Sequence, residues 1–322
     1  IQVYKKAIEL YQGRQDRYGE AQVLVNLGAA YYAQANWAEA TEAYRQSLDI
    51  FLEVGDGLSA AMSLGGLGDI LTDLGKYDEA IECYEACREI FAEAQSIHGQ
   101  ISTLNNLGRV NDAAGNFEQA VTLYEQSLAL AQQYGDLRSQ AIALDNLGVS
   151  LNELKRWQLA LQAHEQALSI YQALGDRPNM SASLNHIGIV SRNLGNFDQA
   201  VAALEEAIHI KQAIGDQRGL ASVLVNMALV RVAQENWLEV KRIAEQIGAQ
   251  SEFEAFDEPL ATADYLLGLS SAQEKDIANT AKFFSRALLR AWRFNRVFAQ
   301  RIQNSISRFF ESTVGKSGGS EV

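Results

Sequence analysis

Proline is almost missing from this chain, 2 residues in 322. Proline breaks helix interiors, so its scarcity leaves room for an unusually helical protein and argues against a loop-rich one. Cysteine is equally scarce, with 2 residues. That excludes a disulfide-stapled scaffold and makes a reducing, cytoplasmic setting the default expectation. No apolar run approaches the roughly 20 residues needed for a membrane span. Positive charge is in deficit, 27 Lys plus Arg against 40 Asp plus Glu, for a formal charge of −13. A general nucleic-acid binder needs the opposite balance to displace counterions. Chemical signatures are missing too: no His-Glu-x-x-His, no metal-spaced cysteines and no glycine-rich phosphate loop with its lysine. No catalytic residue, cofactor or metal is therefore expected, and the chain reads as a non-enzyme.

What the chain has is repetition. Asn26-Leu27-Gly28 recurs as Gly66-Leu67-Gly68, Asn106-Leu107-Gly108, Asn146-Leu147-Gly148, His186-Ile187-Gly188 and Asn226-Met227-Ala228, always 40 residues on. An aromatic keeps the same step at Trp37, Tyr77, Phe117, Trp157, Phe197 and Trp237. Alanine follows at 40, 80, 120, 160 and 200, then Tyr44, Tyr84, Tyr124, His164 and Leu204, then small residues at Ser47, Cys87, Ser127, Ala167 and Ala207. Columns this numerous and this well phased identify a repeat architecture.

Within a unit the apolar spacing is helical, predicting helices over 137–153 and 157–174. Turns such as Leu74-Gly75-Lys76 separate the two helices of a unit, and Gly-Asp pairs at 55–56, 135–136, 175–176 and 215–216 separate units. Glycine there is free to close a helix in the left-handed conformation, and Asp caps the next one. Ser96 takes the capping role in the third unit, and Pro178 falls in a first turn, where a missing N–H costs little. The glycines at 28, 68, 108 and 148 allow two helices to approach closely. One helix pair cannot bury both of its faces, so the pairs must stack into a solenoid.

These columns resemble the tetratricopeptide repeat: Leu27, Gly28, Tyr31, Trp37, Ala40, Tyr44 and Ser47 match its spaced signature in order. The usual unit is 34 residues long, and the extra residues here lengthen the second helix. That variant is similar to the repeats of kinesin light chains, Leu-Gly-Asn repeat regulators, bacterial peptide-pheromone receptors and the sensor arrays of bacterial signal-transduction ATPases. The resemblance implies an all-α, right-handed superhelical solenoid of antiparallel helix pairs with a C-terminal capping helix. It also implies a protein–protein interaction module that binds a peptide or partner segment in its concave groove, as the sensor or docking part of a larger signalling or regulatory protein.

The expected layout is a second helix of a truncated repeat (1–14), six 40-residue units (15–248), an acidic loop (249–258), a degenerate seventh repeat (259–293), a basic aromatic capping helix (294–312) and a disordered tail (313–322). Tyr4, Ala7 and Ile8 align with Tyr44, Ser47 and Leu48, and with Ile1 in first place the chain reads as part of a longer protein, whose other domains are further candidate partners. Residues 281–310 carry seven bases and no acid, interleaved with Phe283, Phe284, Trp292, Phe294, Phe298, Phe309 and Phe310. Three readings stand. The segment caps the stack, or it binds nucleic acid, an anionic membrane or an acidic protein surface, or it contacts a second copy of the chain, which would make a self-associating scaffold, a homo-oligomer.

One column asks for a functional reading: Asn26, Asn106, Asn146 and Asn226, with Gly66 and His186 as substitutes. Asparagine is a mediocre helix former, while its amide offers two donors and an acceptor. In the peptide-binding proteins this chain resembles, such a ladder hydrogen-bonds the backbone of an extended peptide; the alternative is a brace between helices. Beside it runs a varied stripe. Asp69, Asp73 and Asp112 make the second and third units acidic, Arg109 and Arg192 read as isolated positive points, and Glu153 and Asn193 complete the candidate groove. The expectation is a ligand with a basic residue near Asp69 and apolar residues near Ile189 and Leu229. Cys83 and Cys87, one turn apart, read as packing residues.

Overall fold

The computed structural model describes residues 1–249 and 257–314, with the side chains of 294 and 310–314 left aside. The expected acidic loop falls largely on 250–256 and the expected tail on 315–322, both outside the described residues. Sixteen helices and no strand are found among the described residues. Contacts divide the chain into two compact units, 1–170 and 171–322.

The first unit holds α1 (Gln2–Gly13), α2 (Arg17–Tyr32), α3 (Trp37–Glu53), α4 (Gly57–Asp73), α5 (Tyr77–Glu93), α6 (Ile97–Ala113), α7 (Phe117–Gln133) and α8 (Leu137–Glu153), with most of α9 (Trp157–Leu174). The second holds α10 (Arg177–Leu194), α11 (Phe197–Ile214), α12 (Gln217–Ala233), α13 (Trp237–Ala249), α14 (Asp257–Gln273), α15 (Ile277–Phe294) and α16 (Arg296–Val314). Consecutive helices pack as antiparallel pairs, the arrangement of a tetratricopeptide solenoid.

Helix starts follow the sequence signals. Asp16, Asp56, Asp136, Asp176, Asp216 and Asp276 each accept from the backbone N–H three residues on, as Ser96 does through its hydroxyl. This satisfies one of the donors that every helix start leaves open. Gly75 and Gly115 close their helices at φ +73° and +81°.

The pairs are held by a ring set against a glycine. A Cβ added to Gly68 would lie 2.8 Å from the Tyr84 ring, and one on Gly148 2.6 Å from His164. The ring column can pack against the first helix only because that position has no side chain. Cys87 lies in the small column, donating its thiol to the Ala61 carbonyl at 3.1 Å, and burial pushes its pKa up to about 12. Ser127 donates from the equivalent place to the Ile101 carbonyl at 3.2 Å. Cys87 is thus a packing residue whose thiol stays protonated at neutral pH.

At the end of the second unit part of the aromatic set turns inward. Phe284 is buried, Tyr265 meets Phe284 and Phe298 with ring centroids 5.8 and 5.9 Å apart, and the Tyr265 hydroxyl pairs with Ser305 at 3.0 Å. Arg286 and Arg290 reach the buried Asp264 carboxylate at 2.9 and 3.2 Å.

Candidate functional site: the first-helix row

Within each unit the first helices of successive pairs touch one another: α2 with α4, α4 with α6 and α6 with α8, then α10 with α12 and α12 with α14. No comparable row of contacts links the second helices among the described residues. In a stack of helix pairs the row whose members approach each other is the inner, concave one. Every candidate residue stands on a first helix, in the row of its own unit.

Polar pairs lace the row at almost every step. The Tyr32 hydroxyl on α2 donates to Asp73 on α4 at 2.8 Å. Burial and the Asp73 carboxylate push that phenol up to about 12. Arg109 on α6 donates to Asp69 on α4 and to the Tyr84 hydroxyl at 3.1 Å, while Tyr84 donates to Asp69 at 2.7 Å. Ser150 on α8 donates to Asp112 on α6 at 2.6 Å, and Tyr124 donates to the same carboxylate at 2.9 Å. Burial lifts Asp112 above the ordinary aspartate range in spite of these donors. In the second unit the Asn226 amide on α12 donates to Asn185 on α10 at 2.8 Å.

This lacing sorts the candidates. Asn226 acts as a brace between neighbouring helices. Arg109 is not an isolated positive point, because Asp69 and Tyr84 hold its guanidinium; Asp69 in turn is already neutralised. Asp73 stays exposed beyond its contact with Tyr32. Arg192 is half-buried, burial draws its pKa below the usual arginine value, and it donates to Asn193 at 3.3 Å. Glu153 is exposed at the end of α8, accepting from Asn152 at 3.4 Å, and His186 is half-buried on α10. Asn26 is exposed, and Asn106 and Asn146 are half-buried. Their side-chain amides bond to no other side chain or backbone group among the described residues.

Two features were not anticipated from the sequence. The Tyr and His column finds carboxylates: beyond Tyr84 and Tyr124, His164 Nδ1 lies 2.7 Å from Asp145 Oδ1. The column just before the Asn ladder is itself polar, with Asn105, Asp145 and Asn185. The phase of Asn105, Asp145 and Asn185, at steps of 40, was the available signal.

A family profile described as tetratricopeptide repeat matches residues 59–133 and 139–213, and a second of the same description matches 21–54. No curated protein matches the sequence. Among solved structures, a signal transduction ATPase with numerous domains and a tetratricopeptide repeat sensor, from Pyrococcus horikoshii, superimposes with a TM-score of 0.74 at 12% identity, over 96% of this chain and 46% of that one. The chain therefore spans under half of that protein. The Rap protein complexed with Competence and Sporulation Factor gives 0.61 at 15% identity, over 91% and 76% of the two chains. The BtubC (BKLC) protein of P. vanneervenii gives 0.55 at 19% identity, over 67% and 91%. No helix among the described residues is long and apolar enough to cross a membrane. The profile matches, the 40-residue period and the ring-on-glycine pairing of the helices agree: this chain belongs to the tetratricopeptide repeat family.

Proposed function

We propose that the chain is a protein–protein interaction module whose inner helix row takes an extended peptide or partner segment. The observation that carries this reading is the set of uncommitted amides at Asn26, Asn106 and Asn146, set into a row whose other polar side chains are largely used in lacing. An amide that can give and receive together suits a peptide backbone. Asp73 is an exposed acid of the first unit's row and draws a basic ligand residue, and Ile189 and Leu229 offer apolar contacts on the second unit's row. Asp69, Arg109 and Glu153 shape selectivity on the first unit's row, His186, Arg192 and Asn193 on the second's, while Asn226 holds the second row in place.

The structural likeness to a sensor array inside a larger ATPase, and to a Rap protein in complex with Competence and Sporulation Factor, supports reading this chain as the cytoplasmic sensor or docking arm of a larger signalling protein. In that setting residues 15–248 serve as the repeat array, 259–293 as a degenerate seventh repeat and 294–312 as its cap.

A peptide array probed with the wild-type chain and with Asn106→Ala plus Asn146→Ala tests the ladder. Binding that falls at least tenfold while the thermal midpoint holds supports it. Binding that stays unchanged overturns it.

A further inference from the structure

Two second helices carry opposite charge in the same geometric pattern. On α5 the carboxylates Asp78, Glu82, Glu85 and Glu89 fall at steps of four, three and four, continued by Glu93. This spacing keeps them on one helix face. All but Glu85 are exposed, and Glu85 pairs with Arg88 of the same helix, at 2.6 Å. Across Tyr77–Glu93 six acids face a single base.

On α15 the stripe Lys282, Arg286, Leu289 and Arg293 repeats those steps, and the helix contains no acid. The stripe lies at the surface: the Arg286 and Arg293 side chains are 46% and 73% exposed, though Arg286 is held by Asp264 at 2.9 Å and Arg293 lies 4.0 Å from Asp257, and Leu289 is 70% exposed beside a half-exposed Trp292. Lys282 and Arg286 lie 5.6 and 5.9 Å from the centre of the Phe283 ring, which steadies both cations. Steps of four, three and four read the same from either end, so the stripes stay in register whichever way two helices lie.

We infer that the basic stripe of α15 docks on the acidic stripe of α5 of a second copy. Lys282 and Arg293 pair with carboxylates while Arg286 stays on Asp264, and Leu289 and Trp292 lie against the side-chain stems between them. The contact joins two different surfaces and is therefore heterologous. It is mostly exposed charge and therefore weak and salt-sensitive.

Sedimentation velocity of the full chain tests this between about 0.01 M and about 1 M salt, over which the screening length falls from about 30 Å to about 3 Å. The wild type associates at low salt and dissociates at high salt. Lys282→Glu plus Arg293→Glu, and separately Glu82→Lys plus Glu89→Lys, each weaken association at least tenfold, with unchanged circular dichroism. An equal mixture of the two variants associates again, because each supplies the complement the other has lost. Three results overturn the inference: a wild type that stays monomeric at low salt, variants that associate as the wild type does, or a mixture that fails to recover. A monomeric wild type that instead co-sediments with anionic vesicles through Lys282 and Arg293 assigns the stripe to a lipid surface.

Discussion

At the scale of single residues, the turns carry the sharpest contrast between columns that are otherwise alike. Gly75 and Gly115 take the left-handed conformation freely, whereas Lys155 and Ala35 hold the equivalent place at φ +59° and +56°. An L-residue there costs about 1–2 kcal/mol, part of which a glycine gives back through its freer unfolded chain. Lys155→Gly should therefore stabilise the protein by about 0.5–1 kcal/mol, read as a raised Tm. The aspartate caps were legible as Gly-Asp pairs, and their titration follows from their partners. Lys211 at 2.7 Å, together with the Gly219 N–H, holds Asp216 below the ordinary 3.8. A carboxylate whose folded pKa is depressed contributes stability that is fully present above its unfolded value and is lost as pH falls through the folded one. Asp216→Ala should cost about 1 kcal/mol at neutral pH. The gap to the wild type should narrow as pH drops below 3.8 in urea titrations run at several pH values.

At the scale of elements, α14 and α15 share a buried acid whose two partners lie nearer water. The Asp264 side chain is 4% exposed, against 46% for Arg286 and 30% for Arg290. Removing the arginines strands a buried carboxylate, while removing the acid leaves cations that can turn outward. Arg286→Met plus Arg290→Met should accordingly destabilise by about 3 kcal/mol, and Asp264→Leu by clearly less. Amide protection in α14–α16 by hydrogen exchange is the readout. The sequence left the basic aromatic segment open between cap and binding surface. Phe284 and Tyr265 supply the capping contacts, and part of the charge is turned inward onto Asp264. That pairing was not legible because Asp264 breaks its column, which holds leucine at 24, 64, 104, 144, 184 and 224. The brace is a second element-scale case. Asn226→Ala should cost about 1 kcal/mol through its lost bond to Asn185. Asn106→Ala, which breaks no bond to another group among the described residues, should leave stability nearly unchanged.

At the scale of the whole molecule, a repeat protein gains its stability from each unit and from the contact between neighbouring units. Unfolding in urea should then show an m-value below that of a single cooperative transition of 322 residues. Far-UV circular dichroism and tryptophan fluorescence, with reporters at Trp37, Trp157, Trp237 and Trp292, should give transitions that do not coincide. By itself the sequence determined the period of forty, the helix pairs, the capped starts, the glycine-closed turns and the glycine seats for the ring column. Each of these depends on residues a few positions apart, or on one column repeated in phase. Only the tertiary structure decided which polar groups of the inner row are spent on their neighbours and which remain for a ligand. Asn26 and Asn226 are identical in column and in chemistry, yet one is exposed and the other is bound to Asn185. The difference lies in the helix packed alongside, whose identity at the facing position no local pattern encodes.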